Sequence, residues 1–175
     1  MTTIGIVSDT HLPRFGTMLP RALVDGLRTA NVSRILHCGD FTEPLAAELF
    51  EAIAPFDAVA GNNDGEELWE RFGRKKIVQV EGIRIGLIHG DSWRPAPVQA
   101  LAAFADERVD VICFGHSHVP LIEWRGGILL VNPGSPTDRR RMPRFSYATL
   151  HVDGTRAEAE LHQFDDLRPG ASAMG

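Results

Sequence analysis

Cysteine is scarce in this chain: its 175 residues include two, Cys38 and Cys113, each at the end of a short apolar run. Two thiols placed in this way make neither a disulfide framework nor a cysteine-rich zinc cage. They read as buried thiols in a reducing cytoplasm. Also missing are an apolar run of 18 residues, the minimum for a membrane-crossing helix, and a recognisable signal peptide. The expected location is therefore cytoplasmic, with no membrane partner. Positive charge is in deficit, with 18 Lys and Arg against 23 Asp and Glu and a net charge of −5. That balance argues against a dedicated nucleic-acid surface. The one basic patch is Arg139, Arg140 and Arg141 with Arg144. There is no internal repeat and no low-complexity segment, and 43% hydrophobic residues over this length need only one core.

What is present is a set of short apolar runs, each followed by polar residues of one kind. The runs are Ile4 to Val7, Ile35 to Leu36, Ala58 to Ala60, Ile83 to Ile88 and Val109 to Phe114. Their length and β-branched content predict buried strands. Helices are expected over Leu19 to Leu27, Thr42 to Ala52, Glu66 to Phe72 and Pro97 to Ala105, so the first 115 residues alternate strand and helix around a largely parallel sheet. From Lys76 onward the spacing changes to that of hairpins. Lys76 to Val80 pairs with Ile83 to His89, Leu121 to Trp124 with Ile128 to Asn132, and Ser146 to Val152 with Ala157 to Phe164. So many strands exceed one small sheet. The expected fold is α/β, a four-layer α/β/β/α sandwich of two mixed sheets flanked by helices. Residues 1–164 would form a single domain and residues 165–175 a flexible tail.

Behind the runs stand Asp9-Thr10-His11, Gly39-Asp40, Gly61-Asn62-Asn63-Asp64, His89-Gly90-Asp91 and Gly115-His116-Ser117-His118. Ligands at several strand ends converge on one sheet edge, where open α/β sheets place their sites. The seven candidates Asp9, His11, Asp40, Asn62, His89, His116 and His118 offer oxygen and imidazole nitrogen with no thiolate. That set suits Mn²⁺, Fe, Co²⁺, Ni²⁺ or Zn²⁺. Seven are too many for one ion. With one bridging carboxylate they divide into two sites of four, and two ions about 3.5–4 Å apart are the usual arrangement for displacement at phosphorus. The glycines before Asp40, Asn62 and His116 fit strand ends that turn sharply.

In this order the motifs resemble those of the calcineurin-like metallophosphoesterases: D-x-H, G-D, G-N-x-D, H and G-H-x-H. The chain is most similar to the small single-domain branch that contains bacterial and archaeal phosphodiesterases and the eukaryotic retromer subunit. The resemblance spans residues 5–152 and includes Asn132-Pro133-Gly134-Ser135 and Pro143-Arg144. It implies that Asp9, His11, Asp40 and His118 hold one ion and Asp40, Asn62, His89 and His116 the other, with Asp40 as the bridge and Mn²⁺ the first candidate. The implied activity is phosphodiester hydrolysis at a binuclear centre, with a bridging hydroxide attacking phosphorus in line. The alternatives are a phosphomonoesterase or nucleotide hydrolase, or a non-catalytic, metal-binding scaffold for protein partners. The expected partner is a small phosphate ester, and a homo-oligomer is compatible.

Relatives of this kind often carry a histidine where Asn63 stands, and an amide cannot deliver a proton at neutral pH. Asn63 and Asp64 are the candidate catalytic residues, with Asp64 left to orient either Asn63 or its loop. Asp91 is an extra carboxylate that would serve as an acceptor beside the ligands. His37 reads as a strand or core histidine, and His151 and His162 as surface or packing residues. Trp69 and Phe72 read as one packed helical face, and Trp93 as a cap on the core or a wall of the cleft. Arg14, and Arg144 or a neighbour, are candidates to bind phosphate as fork donors.

Overall fold

The computed structural model describes residues 1–169. In chain order the elements are β1 (Thr2–Val7), α1 (Arg21–Thr29), β2 (Arg34–His37), α2 (Pro44–Glu51), β3 (Phe56–Ala58), α3 (Glu66–Phe72), β4 (Lys75–Val80), β5 (Ile83–Ile88), α4 (Ala96–Ala103), β6 (Val111–Cys113), β7 (Leu121–Arg125), β8 (Ile128–Asn132), β9 (Phe145–Asp153) and β10 (Arg156–Phe164). They form two five-stranded sheets, ordered β10-β9-β1-β2-β3 and β4-β5-β6-β8-β7. Both are mixed. The strands β1, β2 and β3 run parallel, as do β5, β6 and β8, while β9, β10, β4 and β7 join antiparallel.

The period of two along each strand separates the layers. Ile4, Ile6, Leu36 and Cys38 of the first sheet's strands and strand ends meet Ile85, Leu87, Val111, Cys113, Leu129 and Val131 of the second, and together they form the core between the sheets. The alternate residues Val7, Ile35, Phe145 and Tyr147 face α1, α2 and α3. Ile112 and Leu130 face α4. The four-layer sandwich follows directly, helices outside and two sheets within. Gly26 sits inside α1, where glycine costs about 1 kcal/mol; a Cβ there would lie 1.9 Å from the Tyr147 hydroxyl, so the close helix–sheet approach requires it.

Three expected boundaries shift for local reasons. The second helix starts at Pro44 because Thr42 is held at φ +85° with its N–H on Asp64. The first starts after Pro20, whose backbone is extended. The strand expected over Val109 to Phe114 shortens to Val111–Cys113, since Asp110 turns to exchange hydrogen bonds with Arg84. Beyond β10, Asp165 pairs with Arg144 and the Arg168 carbonyl accepts the Arg21 N–H, so this stretch lies along the start of α1. The rest of the expected flexible tail, 170–175, lies outside the described residues. None of the described helices is long and apolar enough to cross a membrane.

Candidate metal centre

The C-terminal ends of β1, β2, β3, β5, β6 and β8 deliver their loops to one edge of the sandwich. Asp9, His11, Asp40, His116 and His118 there all have left-handed backbones, at φ +57°, +45°, +63°, +66° and +58°. For a residue with a side chain this conformation costs roughly 1–2 kcal/mol, so surrounding bonds must hold it. They do. The Asp9 N–H donates to the Gly39 carbonyl and the His11 N–H to that of Asp40. Ser135 Oγ donates to the Asp9 carbonyl at 2.7 Å and Thr137 Oγ1 to that of Thr10 at 2.6 Å. Asn132 Nδ2 donates to the Gly115 carbonyl at 3.0 Å. Asp64 Oδ2 accepts the N–H groups of Asp40 and Gly61 at 2.9 and 2.7 Å, and its Oδ1 accepts that of Thr42 at 2.8 Å. All three of these contacts are to loop backbone and none is to Asn63.

The sharp turn expected of all three glycines holds for Gly39, at φ +97°. Gly61 and Gly115 are needed for another reason, close approach. A Cβ on Gly61 would lie 2.1 Å from Asp40 Oδ1, and one on Gly115 would lie 2.6 Å from Asp9 Oδ2.

Five of the seven expected ligands converge in the buried centre. Asp9 Oδ1 lies 3.3 Å from His118 Nε2, 3.8 Å from His11 Nε2 and 3.9 Å from His89 Nε2. Asp40 Oδ2 lies 3.3 Å from His89 Nε2 and 3.7 Å from His11 Nε2. Asp9, His11 and His118 form one mutually close set, and Asp9, Asp40 and His89 another, so Asp9 is common to both. Asn62 and His116 stand at the rim, with Asn62 Oδ1 3.1 Å from His116 Nδ1 and the His116 ring against that of His89. Asn63 faces Asp40: its backbone N–H donates to Oδ1 at 2.9 Å and its amide to Oδ2 at 2.6 Å.

Hydrogen bonds set the orientation of Asp9, His89 and His118. Asp9 Oδ2 accepts from Ser8 Oγ at 2.6 Å and from the His116 N–H at 3.0 Å, which turns Oδ1 inward. His89 Nδ1 donates to the Cys38 carbonyl at 2.8 Å and His118 Nδ1 to that of Asp138, so each presents Nε2. Among the described residues, Asp9 Oδ1 and His89 Nε2 are buried with no hydrogen-bond partner. Stranded polar atoms of this kind are costly, and a cation satisfies both. Donor atoms separated by about 3.3 Å are what bonds of roughly 2.1 Å to a shared ion impose. The residues therefore fit divalent transition-metal ions.

The carboxylates and imidazoles of the centre shift one another's proton affinities. Burial opposes ionisation of Asp9 and Asp40. His118 and His89 nevertheless hold Asp9 below the usual carboxylate range, and His89 with the N–H groups of Asn63 does the same for Asp40. Burial likewise opposes the charge on His89, but Asp40, Asp9 and the Cys38 carbonyl push it up to about 9. His118 is also raised, against burial, chiefly by Asp9. Burial lowers His11 and His116. The two carboxylates and these two imidazoles thus shift one another in opposite directions, at the atoms where metal bonds would form.

The family model for the calcineurin-like phosphoesterase superfamily domain matches residues 2–155. The chain belongs to this superfamily. A probable metallophosphoesterase of Methanothermobacter thermautotrophicus is 37% identical over 172 residues, covering 96% of this chain and 93% of that protein. A phosphodiesterase of Methanocaldococcus jannaschii is 30% identical over 145 residues, covering 75% and 82%. The crystal structure of Vps29 from Chaetomium thermophilum superposes with a TM-score of 0.77 at 21% identity, covering 94% of this chain and 97% of that one, a likeness of fold.

Around the centre of this metallophosphoesterase some residues take the places expected of them and others do not. His37 is buried, stacks on Phe41, accepts the Gly39 N–H and lies within hydrogen-bond distance of Thr10 Oγ1, a core histidine. Burial pushes it down to about 3. Cys38 and Cys113 are free, buried between the sheets, and both raised by burial. Trp69 does not join Phe72 in the core. It is 45% exposed and donates to the Gly61 carbonyl, while Leu68 takes its place inside. Trp93 is 88% exposed and caps no core. Asp91 pairs with Arg74, which also donates to the Gly61 carbonyl. Arg14 leans on Phe15, whose ring meets His11 edge-on. Arg144 turns away to a fork on Asp165. Its neighbour Arg140 reaches the rim, with Nη1 3.5 Å from the His116 carbonyl. Ser8, Thr137 and Asp138 support the centre and carried no signal of their own in the sequence.

Proposed function

We propose that this metallophosphoesterase is a phosphodiesterase working through two divalent transition-metal ions. Mn²⁺ is the first candidate, and Fe, Co²⁺, Ni²⁺ and Zn²⁺ suit the same donors. The observation that carries this reading is the pair of buried, unpartnered donor atoms, Asp9 Oδ1 and His89 Nε2, within a cage of carboxylates and imidazoles. Asp9, His11, Asp40 and His118 would hold one ion, and Asp40, Asn62, His89 and His116 the other. Support for Asp40 as the shared ligand is its Oδ2, which lies near one histidine of each set, His11 and His89. Asp9 Oδ1 reaches the same two histidines and is a second carboxylate spanning both sets. When bound, such ions acidify water and neutralise charge around phosphorus.

The chain's own residues do the rest. Asp9 and Asp40 stay ionised, and the Cys38 and Asp138 carbonyls fix His89 and His118 in the tautomer that offers Nε2. Asp64 sets the distance between the loops after β2 and β3. Asn63 holds Asp40 with one amide proton and offers the other to a phosphoryl oxygen; it has no acidic proton for a leaving alkoxide. Esters whose leaving group carries its own charge well are favoured, aryl diesters first. The M. jannaschii relative is named a phosphodiesterase, which supports diesters as the substrate class.

The test is turnover of a panel of aryl and alkyl phosphodiesters, phosphomonoesters and nucleotides by the metal-reconstituted protein. Aryl diesters should be hydrolysed fastest. A protein that loads metal and hydrolyses no member of the panel would be a scaffold, and the reading would fall.

A further inference from the structure

We infer that Arg140 is a substrate-binding residue, whose guanidinium donates to a non-bridging oxygen of the phosphoryl group held at the metal centre. The inference rests on the metallophosphoesterase reading and adds the residue that grips the anion.

Three arginines near this edge are committed to other partners. Arg74 is fixed between Asp91 and the Gly61 carbonyl. Arg144 forms a two-pronged pair with Asp165, and Arg139 donates to the carbonyls of Met142 and Pro143. Arg140 is held more loosely. Its Nε is 3.8 Å from Asp138 Oδ2, too far for a hydrogen bond, and its Nη1 is at the limit of one, 3.5 Å from the His116 carbonyl. The side chain is 49% exposed, and apart from these two long contacts its five donors have no protein partner among the described residues.

The backbone beneath it is tightly fixed. Arg140 has φ +47°, a strained conformation for a residue with a side chain. Its N–H donates to Asp138 Oδ1 at 3.3 Å, and the Asp138 N–H donates to Ser135 Oγ at 2.8 Å. Ser135 in turn holds the Asp9 carbonyl, and the Asp138 carbonyl holds His118 Nδ1. The loop that carries Arg140 is thus bolted to Asp9 and His118, while the guanidinium above it keeps free donors. A fixed base with a loosely paired planar cation suits two-pronged binding of a phosphoryl group. Asp138 sets the resting position of the guanidinium, and an incoming anion replaces that long, weak ion pair with a short one.

The experiment uses the full, metal-loaded chain and compares wild type with Arg140→Lys, Arg140→Met and the control Arg141→Met, which removes the same charge one residue away. The probes are inorganic phosphate, whose affinity is read by calorimetry, and an aryl phosphodiester, read as kcat/KM. Hydrogen bonds to a charged group at a half-exposed position are worth roughly tenfold in affinity. Arg140→Met should weaken phosphate binding about tenfold and lower kcat/KM with it, while metal content is unchanged. Arg140→Lys should fall between, and Arg141→Met should match wild type. Equal phosphate affinity in wild type and Arg140→Met overturns the inference, as does an equal loss in Arg141→Met. Loss of metal in Arg140→Met also overturns it, because the residue would then act through His118. Phosphate binding that depends on Arg140, in a protein that hydrolyses no ester, would leave this inference standing and refute the proposed function.

Discussion

Asp64 offers the sharpest test of how the centre is built. One carboxylate accepts three backbone N–H groups from two loops, at 2.7–2.9 Å. In Asp64→Asn the single carbonyl oxygen can keep the two bonds made by Oδ2, but the new NH₂ then faces the Thr42 N–H, donor against donor. Hydrogen bonds to a charged acceptor contribute about 1.5–3 kcal/mol and neutral ones about 0.5–1.5. The two retained bonds therefore weaken by roughly 1 kcal/mol each, and stranding the third costs about 1–3 kcal/mol. The expected destabilisation is about 3–5 kcal/mol. For a chain of this length that lowers the melting temperature by about 10 °C and the urea midpoint by roughly 1–2 M. The assay is urea unfolding of the metal-free protein, followed by metal titration. Affinity for metal should fall too, because the Asp40 and Gly61 loops are no longer tied. A loss of stability below about 1 kcal/mol together with a large drop in kcat would show that Asp64 acts on Asn63 and not on the loop backbone, refuting the argument.

Metal titration of the wild type should give two equivalents per chain, and Asp40→Asn should weaken both together; a fully active protein with one equivalent would end the two-ion reading. His89, raised to about 9 in the metal-free protein, stabilises that form fully below its ordinary value near 6.5, and the contribution is lost as the pH rises through 9. Metal needs the neutral ring, so loading at pH 7 should release a proton from His89 and affinity should climb between pH 6.5 and 9; calorimetry in buffers of different ionisation enthalpy reads this, and no proton release at pH 7 would contradict it. Asn63→His should flatten the dependence of kcat/KM on leaving-group acidity, since a positioned acid contributes on the order of 10²–10⁴-fold; wild-type protein that already hydrolyses alkyl monoesters as fast as aryl diesters would show another acid at work. Cys38→Ser and Cys113→Ser should cost stability but keep the metal content, and a folded Cys38→Ser protein lacking one equivalent would reveal a missed ligand.

Local spacing in the sequence carried the order of the architecture. Short β-branched runs can bury both faces, glycine-containing intervals of two or three residues can reverse a strand, and intervals of a dozen or more need a crossover helix. From these alone came the parallel half, the three hairpins and the need for two sheets. The same spacing put Asp9, Asp40, His89 and His118 at strand ends, and parallel strands bring such ends to one edge whatever the details of packing. What the tertiary structure decided was everything that depends on which strand ends become neighbours. Ser135 finds the Asp9 carbonyl across 126 residues because β8 lies beside β6 in the second sheet, whose edge faces that of the first. Gly61 is a glycine because the Asp40 carboxylate fills its Cβ space, and Gly115 because the Ser8 hydroxyl and the Asp9 carboxylate fill its own, and the left-handed backbones of five ligands are sustained by bonds from distant segments. Four arginines within six residues are indistinguishable in sequence; Asp165 claims one, and a strained turn lifts another to the rim. Periodicity encodes the direction in which a chain leaves a strand, whereas the partners of an inward-facing atom are set by the order of strands in two sheets, which no short window of sequence contains.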